Sequence, residues 1–398
     1  MIIRRIQYIL ISVLILFNTA IFAQHGIESQ ESKPLNESEL HQEEAFNAGE
    51  MILEHIIDAY EWHILSFGDF HLSIPLPVII YRDGHLITFL SSAFHHGHVP
   101  ALFDKNNHRI HADEINPDQN LAFGLAIMTE GAHKGKLAYI DTEAYLHNHQ
   151  VIENTSAGMP YDFSITKNVL ALWLSLIVIV WVFVSVANSY KARKGMAPKG
   201  LQSMLEPFII FIRDDIAKAS IGEKKYEKYL PYLLTIFFFI FFNNLFGLIP
   251  FFPGGANLTG NIAITMVLAL FTFVITNFSG NKSYWTHIVN TPGVPWWLKI
   301  PMPLMPIVEI VGLITKPFVL MVRLFANITA GHIIVLGFIS LIFIFGNMHP
   351  AVGYGVSIVS IAFSIFLTFL EFLVALIQAY VFTLLSALYF GAAVEEHH

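Results

Sequence analysis

Cysteine is absent from this chain of 398 residues, and charged side chains make up only 13% of it. Without cysteine the chain can form no disulfide, thiol nucleophile or cysteine-based metal site. The scarcity of charge accompanies a hydrophobic fraction of 55% and a positive mean hydropathy. Few soluble globular proteins have this composition, so we expect a lipid bilayer, and no nucleic acid, as a partner of the chain.

The acidic residues are concentrated between residues 24 and 163, so the formal net charge of −8 describes one part of the chain. Residues 1–23 begin with Arg4 and Arg5 and continue as an apolar run, which is the pattern of a secretory signal peptide. Because Ile21 is larger than the residue usual three positions before cleavage, an uncleaved anchor is the alternative. Either way, we expect residues 24–163 outside the cytoplasm.

The segment at residues 24–163 begins with a polar, Glu-rich stretch in which residues 37–57 can form a helix. Short apolar runs bounded by turn residues follow, and such runs predict strands. They lie at residues 74–81, 85–90, 121–128 and 137–140. These patterns predict a small α+β extracytoplasmic domain.

A cluster of His95, His96 and His98 gives this domain an alternative role as a metal-binding or sensor module. Clustered histidines on a polar loop are commonly only solvated, however, and no ligand pair at helical spacing accompanies them. We therefore expect no structural transition metal and no cofactor in this protein.

Five apolar runs between residues 164 and 398 are long enough to cross a membrane. They lie at residues 168–187, 229–252, 262–278, 308–345 and 352–394. The last two exceed the roughly 20 residues that a crossing needs, so we expect a long hairpin that is strongly tilted or lies partly in the membrane plane. The fold class is thus a mainly α, polytopic membrane protein with five crossings after a signal segment.

Lysine and arginine predict the orientation of these crossings. Loops at residues 251–256 and 346–355 have neither residue type, whereas basic residues follow the first span and occupy the loop after the third. The basic positions are Lys191, Arg193, Lys194, Lys199, Lys282 and Lys299. Under the positive-inside rule, the C-terminus is cytoplasmic and the two uncharged loops are outside, in the cell inner (plasma) membrane.

An amphipathic pattern follows the first span. Apolar residues recur at helical spacing over residues 201–216, while Arg213, Asp214 and Lys218 lie off that stripe. The pattern predicts a helix on the inner membrane surface.

Arg323 is the strongest functional candidate because it lies deep within the fourth span. An arginine near the middle of a bilayer costs from about 2.5 to above 10 kcal/mol, so a position of this kind is usually functional. At about 1.5 Å rise per residue, Glu309 lies some 21 Å to the cytoplasmic side of Arg323 and His332 some 13 Å to the outer side. One helix thus has titratable groups on both sides of a fixed positive charge.

The final span runs antiparallel to the fourth and carries Glu371 and Gln378 on one face, seven residues apart. If Gln378 is level with Arg323, Glu371 reaches nearly the depth of His332, about 10 Å further out. The two could relay protons from outside, since both can titrate in a useful pH range. Gln378 and Asn327 are suited to lining a wet cavity or holding Arg323, although ordinary contacts between helices are the alternative.

On the cytoplasmic side, Glu309 is a candidate proton exit group, with a structural ion partner as the alternative. Lys316, followed by Pro317, predicts a bend with a snorkelling cation. A secondary transporter is a further alternative, but the sequence lacks the expected repeat of broken helices.

The segment 309–332, EIVGLITKPFVLMVRLFANITAGH, resembles the signature of the ATP synthase a subunit family. The resemblance continues through FNNLFGLIP at 242–250, NLTGNIAITMVLAL at 257–270 and LIQAYVFTLLSALYF at 376–390. It covers about residues 165 to 395, and several motifs occur in the same order and spacing. The domain at residues 24–163 is outside the usual family pattern.

The resemblance implies a subunit that catalyses no bond making and couples proton flow to ring rotation. Arg323 would face the acidic residue of a rotating c-ring and separate two aqueous half-channels. The positions that match the outer half-channel are His332, Glu371, Gln378 and Asn327, and Glu309 matches the inner one. The implied partners are c-ring subunits, peripheral-stalk b subunits and the remaining ATP synthase subunits.

This chain departs from many bacterial members in its outer half-channel. Those members have an acid nine residues after the arginine and a histidine seven before the glutamine. Here the two are exchanged as His332 and Glu371, an arrangement similar to mitochondrial members. The chemistry of a histidine beside a carboxylate is preserved.

Overall fold

The structure is a computed structural model in which contacts divide the chain into two compact units, Met1–Ala171 and Leu172–His398. It describes residues 48–49, 52, 58–67, 70–94, 99–110, 121–129, 133–148, 150–249, 254–289 and 304–395. The predicted signal segment and the three clustered histidines lie outside the described residues, and the helix predicted at 37–57 is described only at Ala48, Gly49 and Ile52, which are helical.

The described residues of the first unit form short antiparallel strands in three sheets. The strands are β1 (Glu61–Phe67), β2 (Phe70–Pro75), β3 (Pro77–Arg82), β4 (His85–Leu90), β5 (Ala101–Phe103), β6 (Arg109–Ile110), β7 (Phe123–Ile127) and β8 (Leu137–Ile140), followed by helix α1 (Thr142–Asn148) and strand β9 (Tyr161–Asp162). Their order is β1-β2 in one sheet, β4-β3-β9 in the second and β6-β5-β7-β8 in the third. The predicted α+β class of this region is confirmed.

Apolar side chains from these strands form the core of the first unit. Val78, Ile80 and Leu125 are fully buried there. The rings of Phe103 and Phe123 stack with their centroids 4.8 Å apart. Alternate residues of β3 point into this core, as expected for a strand with one buried face.

The prediction of a single strand at residues 74–81 was wrong, because the structure has two strands there. The chain leaves β2 at Pro75 and enters β3 at Pro77, with Leu76 between them outside both strands. Because proline has no N–H to donate to a ladder, two prolines around one residue favour a break. Leu76 is instead anchored to Ser91, whose hydroxyl accepts from the Leu76 N–H at 3.0 Å.

The second unit is helical, and the five predicted spans are confirmed as helices. The helices that begin after β9 are α2 (Lys167–Ala192), α3 (Leu201–Phe211), α4 (Tyr226–Leu248), α5 (Ile262–Ser279), α6 (Lys282–Val289), α7 (Leu304–Met348) and α8 (Pro350–Val394). Among the described residues, five of them, namely α2, α4, α5, α7 and α8, are long and apolar enough to cross a membrane. α7 continues without interruption through Pro317.

The amphipathic segment is less exposed than its pattern predicts. α3 continues as a π-helical turn at Ile212–Lys218 and ends in a short helical segment, Ala219–Ile221. Leu205, Ile212 and Ile216 are buried in the core that α4 and α8 share. The apolar stripe therefore packs partly against protein, and the expectation that it lies on the membrane surface applies only to its exposed members such as Met204.

α7 and α8 form a hairpin of two 45-residue helices joined at His349. The imidazole of His349 accepts from the Ala351 N–H at 3.2 Å and so caps α8. At the closed end the helices approach closely, since a Cβ added at Gly353 would lie 2.7 Å from the Gly346 Cα. This register determines which side chains of α7 and α8 meet further along the hairpin.

Candidate functional site

Arg323 lies on the surface of α7 and is exposed. The structure gives Arg323 neither an ion pair nor a hydrogen bond with any residue that it describes. Ala326, Asn327 and Ala330 are exposed on the same helix within two turns. A lone guanidinium inside an apolar span is therefore flanked by small and neutral side chains.

His332 and Glu371 meet across the hairpin. The His332 Nδ1 lies 3.6 Å from the Glu371 Oε1, and the two side chains are only 20% and 14% exposed. The antiparallel alignment places them at similar depth, as the sequence predicted. Gly331 makes this contact possible, because a Cβ there would lie 2.6 Å from the Glu371 Oε1.

The loop between α4 and α5 covers His332 from another side. A Cβ added at Gly247 would lie 3.8 Å from the His332 Nε2 and 3.5 Å from the Ala256 carbonyl oxygen, so α4, the loop and α7 converge there. Asn244 fixes the loop, since its side chain accepts a hydrogen bond from the Thr259 hydroxyl and donates to the Ala375 carbonyl of α8 at 3.3 Å. The sequence pattern did not predict these contacts.

Several buried polar atoms on this side of the hairpin have no hydrogen-bond partner in the described part of the chain. They are the Glu371 Oε1, Thr329 Oγ1, Ser364 Oγ and Asn257 Nδ2. Thr329 precedes His332 by three residues on α7, and Ser364 precedes Glu371 by seven on α8, so each shares a helix face with its titratable neighbour. Buried polar atoms are normally paired, often with ordered water, so this set is suited to holding water molecules.

These polar residues were not among the predicted site residues, although the sequence contains a signal for one of them. A serine at a seven-residue interval before Glu371 continues the spacing that separates Glu371 from Gln378. In an apolar helix, polar side chains that repeat on one face predict a wet or packed seam. Asn257 could not be found this way, because it lies in a loop.

Gln378 and Asn327 occupy different environments. Gln378 is buried, with 7% of its surface exposed, whereas Asn327 lies on the exposed face with Arg323. Neither amide forms a hydrogen bond with Arg323 in the described part of the chain. The geometry thus associates Asn327 with the arginine surface and Gln378 with the interior, and their roles stay predictions.

Glu309 lines a cavity of about 190 Å³ at the other end of the hairpin. The cavity also contains His287 and Tyr284 from the α6 region, Lys316 of α7 and Glu395 after α8. A smaller pocket shares Tyr284 and Lys316 with it and extends to Thr272, Asn277 and Tyr389. The Lys316 ammonium lies 5.7 Å from the centre of the Tyr389 ring. Titratable groups are therefore gathered at this end as well.

The first unit offers no comparable cluster for a metal within the residues that the structure describes. His133 and Glu153 form an ion pair at 2.7 Å, without a third ligand of this kind beside them in the described chain. Because the histidine cluster near residue 96 lies outside the described residues, the absence of a metal stays a prediction.

Five apolar spans, an arginine within one of them and a histidine–carboxylate pair about 13 Å further along the same hairpin are features typical of an ion-translocating membrane protein. Residues 169–391 match the profile of the family described as ATP synthase A chain. This segment is more than half of the chain, so the protein belongs to that family. Residues 51–168 match a second family, described as a domain of unknown function.

Relatives with the same family name are found in several bacteria. ATP synthase subunit a of Chloroherpeton thalassium is 44% identical over 246 residues, which cover 60% of this chain and 69% of that protein. ATP synthase subunit a 2 of Chlorobaculum tepidum is 49% identical over 58% of this chain and 64% of its own length, just under two thirds. ATP synthase subunit a of Chlorobium phaeobacteroides strain DSM 266 is 40% identical over 75% of this chain and 92% of that protein.

The family fixes the general role of the chain. It is a multi-pass membrane protein and the proton-translocating stator subunit of an ATP synthase, and it does not itself catalyse bond making. It works together with the other subunits of that complex. The interpretations as a secondary transporter or as a sensor built only on the first domain do not account for the family match.

Gly331 provides a test of the contact between His332 and Glu371. We expect Gly331→Ala to displace the Glu371 carboxylate and to lower ATP-driven proton pumping severalfold, while the complex still assembles, because the clash is with the end of a flexible side chain. The matched control is Gly337→Ala on the same helix, where a Cβ would meet nothing within 4 Å. Both are Gly→Ala substitutions within α7, so both raise the intrinsic helix propensity by the same amount. Equal pumping by the two variants in inverted vesicles would contradict the role of the contact.

Proposed function

We propose that the subunit conducts protons through two half-channels that Arg323 separates, and that it faces a ring of c subunits whose acidic residue passes the arginine. The exposed, unpaired guanidinium of Arg323 within an apolar span carries this proposal. A charge placed in a membrane needs a partner, and the described residues of this chain supply no carboxylate that pairs with Arg323. A carboxylate on another subunit would be that partner.

The surface around Arg323 supports a close approach of the ring. Ala326 and Ala330 are small, and small residues let helices in membranes come near to one another. Asn327 adds a neutral hydrogen-bonding group on the same surface. At an effective dielectric constant near 20, two opposite charges about 4 Å apart attract by about 4 kcal/mol. An attraction of this size would hold a deprotonated ring carboxylate at Arg323.

The outer half-channel would run through the His332 and Glu371 pair towards Gln378 and Arg323. The unpartnered polar atoms of Asn257, Thr329 and Ser364 support a chain of water molecules beside the pair. A separation of 3.6 Å is slightly longer than a direct hydrogen bond, so a small movement of either side chain would join the two groups directly. In this proposal the pair accepts protons from the outer side and passes them inward.

The inner half-channel would use Glu309. The cavity that it shares with His287, Lys316 and Glu395 supports an aqueous exit, and the smaller pocket extends from there along α5 and α8.

The orientation and assembly belong to the same proposal. The first domain, at residues 24–163, would lie outside the cytoplasm after a signal segment at 1–23. The membrane domain, at residues 164–398, would end in the cytoplasm, in the cell inner (plasma) membrane. Besides the ring, peripheral-stalk b subunits and the remaining ATP synthase subunits would be its partners, without any cofactor of its own.

Cross-linking tests the ring-facing surface. Because the chain has no native cysteine, Ala326→Cys or Ala330→Cys introduces a unique thiol beside Arg323. We expect each to form a disulfide with cysteines placed on the outer helix of the c subunit when the assembled complex is oxidised. The yield should be high, because in this proposal one c subunit or another lies against this surface at every stage of ring rotation.

The control for this experiment is Val180→Cys on α2, a side chain that is 59% exposed in an apolar span. We expect no product with the ring there. Equal yields at Val180 and Ala326, or no yield at either alanine position in a complex that still pumps, would contradict the assignment of the surface.

A further inference from the structure

We propose that one face of the sheet β4-β3-β9 rests on the membrane surface, with its side chains in the lipid headgroup region beside the start of α2. This outer sheet face consists of nine residues in three rows. The rows are Leu86, Tyr81 and Tyr161, then Thr88, Ile79 and Phe163, then Leu90, Pro77 and Ile165. Eight of the nine are apolar or aromatic, and none is charged.

The strand pairing defines the rows. Tyr81 lies opposite Leu86 of β4 and opposite Tyr161 of β9. The ladder continues beyond β9, since the Phe163 N–H donates to the Ile79 carbonyl at 2.8 Å. Because side chains on a strand alternate between faces, every second residue of each strand belongs to this face.

The third row continues the same ladder. Pro77 pairs with Leu90 of β4, and its carbonyl accepts from the Ile165 N–H at 3.0 Å. Ile165 precedes the first residue of α2 by two positions. Each successive row, from Tyr161 to Phe163 to Ile165, therefore lies closer to the start of α2.

The opposite face of this sheet already covers the core of the first unit, through residues such as Val78, Ile80 and Ile87. The sheet is thus apolar on both faces. An antiparallel sheet with only one face buried normally alternates apolar and polar residues, so the outer face is unusual for a surface in water. Leu86, Tyr161 and Phe163 are 64%, 71% and 65% exposed, and exposed apolar patches of this kind mark contact sites.

Continuity with α2 identifies the membrane as the contact. Only Thr166 separates Ile165 from Lys167, so the two positions are at most about 7 Å apart along the chain. The start of α2 is also tied to the same unit, because the Lys167 N–H donates to the Ala59 carbonyl at 2.8 Å and the Asn168 N–H to the Asp58 carboxylate at 3.0 Å. The sheet is therefore held next to the point where an apolar helix enters the bilayer.

The composition of the face favours lipid over a protein partner. Tyrosine is enriched at the level of the headgroups, where its ring meets the acyl boundary and its hydroxyl meets water. Tyr81 and Tyr161 adjoin one another in the row furthest from α2, and the two rows nearer to it contain Ile79, Phe163, Leu90, Pro77 and Ile165. No complementary charge for a protein surface occurs among the nine residues. Burial of such a face at the interface adds binding in proportion to its apolar area.

Spin-label accessibility in the assembled ATP synthase, held in nanodiscs of phosphatidylcholine and phosphatidylglycerol, tests this proposal. Thr88→Cys replaces the one polar residue of the face, so the label adds to it without removing an apolar contact, and the cysteines of other subunits are replaced. Collisions with oxygen, which dissolves in lipid, are compared with collisions with a water-soluble nickel chelate. We expect the ratio of oxygen to nickel accessibility at position 88 to be severalfold higher than at the control.

The control is Glu143→Cys, an exposed position of α1 in the same unit, and the depth reference is Val180→Cys within α2. The ratio at position 88 should fall between these two. If Thr88→Cys does not assemble, Leu90→Cys repeats the measurement in the next row. A ratio equal to that at Glu143 would mean that the face is in water. Exclusion of both reagents would mean that another protein covers it, and either result would overturn the proposal.

Discussion

Arg323→Ala should abolish ATP-driven proton pumping while the subunit remains in the membrane. In the proposed mechanism, loss of the guanidinium removes the positive barrier, so a proton could pass between the proposed half-channels without turning the ring. A barrier of about 4 kcal/mol corresponds to about a thousandfold difference in the rate of such passage. ATP hydrolysis and acidification of inverted vesicles, measured together, show whether the two processes are still coupled.

Two control variants sharpen this result. Gly337→Ala changes the same helix at a position where an added Cβ would meet nothing within 4 Å, and we expect it to keep most of the pumping. Arg323→Lys keeps the charge but loses the planar donor fork, so we expect it to substitute poorly. Pumping at the normal rate by Arg323→Ala would refute the assignment of the arginine.

The exchanged pair gives the second large effect. We expect His332→Glu alone and Glu371→His alone each to lower ATP-driven pumping by at least about tenfold, and the double change to recover a measurable part of it. Two carboxylates in contact repel, whereas two histidines lack the anion that stabilises a transferred proton. At 3.6 Å the two positions are close enough to couple, and coupled neighbours typically differ from additivity by about 0.5–3 kcal/mol.

A double-mutant cycle on pumping rates in inverted vesicles, with matched amounts of assembled complex, measures this coupling. The double variant restores one group of each kind, although not the original packing around Gly331 and Gly247. Strict additivity of the two single defects would mean that His332 and Glu371 act independently. The shared relay would then have to be abandoned.

The hairpin was largely predictable because its determinants are local. The length of an apolar run predicts a membrane span, and the fixed rise per residue of a helix converts sequence separation into depth. The similar depth of His332 and Glu371 therefore follows from helix geometry. Which side of each helix is exposed does not follow, since a fully apolar helix has little contrast between its faces. The exposure of Arg323 and the burial of Gln378 therefore had to come from packing.

Contacts between distant segments were the least predictable part. The Asn244 side chain connects the loop that precedes α5 with helix α8. No sequence pattern at Thr259 or Ala375 predicts these hydrogen bonds. In the first unit, the short strands β5, β6 and β9 have too few residues for alternation to be recognised. The apolar outer sheet face also escaped notice, because its rows form only when β9 joins β3 from 80 residues away, as in the Tyr81 and Tyr161 pair.

The single-residue turn at His349 also bears on how the protein is made. α7 and α8 are adjacent along the chain, so their pairing can begin beside the turn, where Gly346 and Gly353 touch, and proceed inward with little loop-closure entropy. His332 and Glu371 would meet later in this order, and the surroundings of Arg323 later still. An insertion of one residue at the turn would rotate one helix by about 100° against the other. The distant His332 and Glu371 side chains would then separate, although no residue near them had changed.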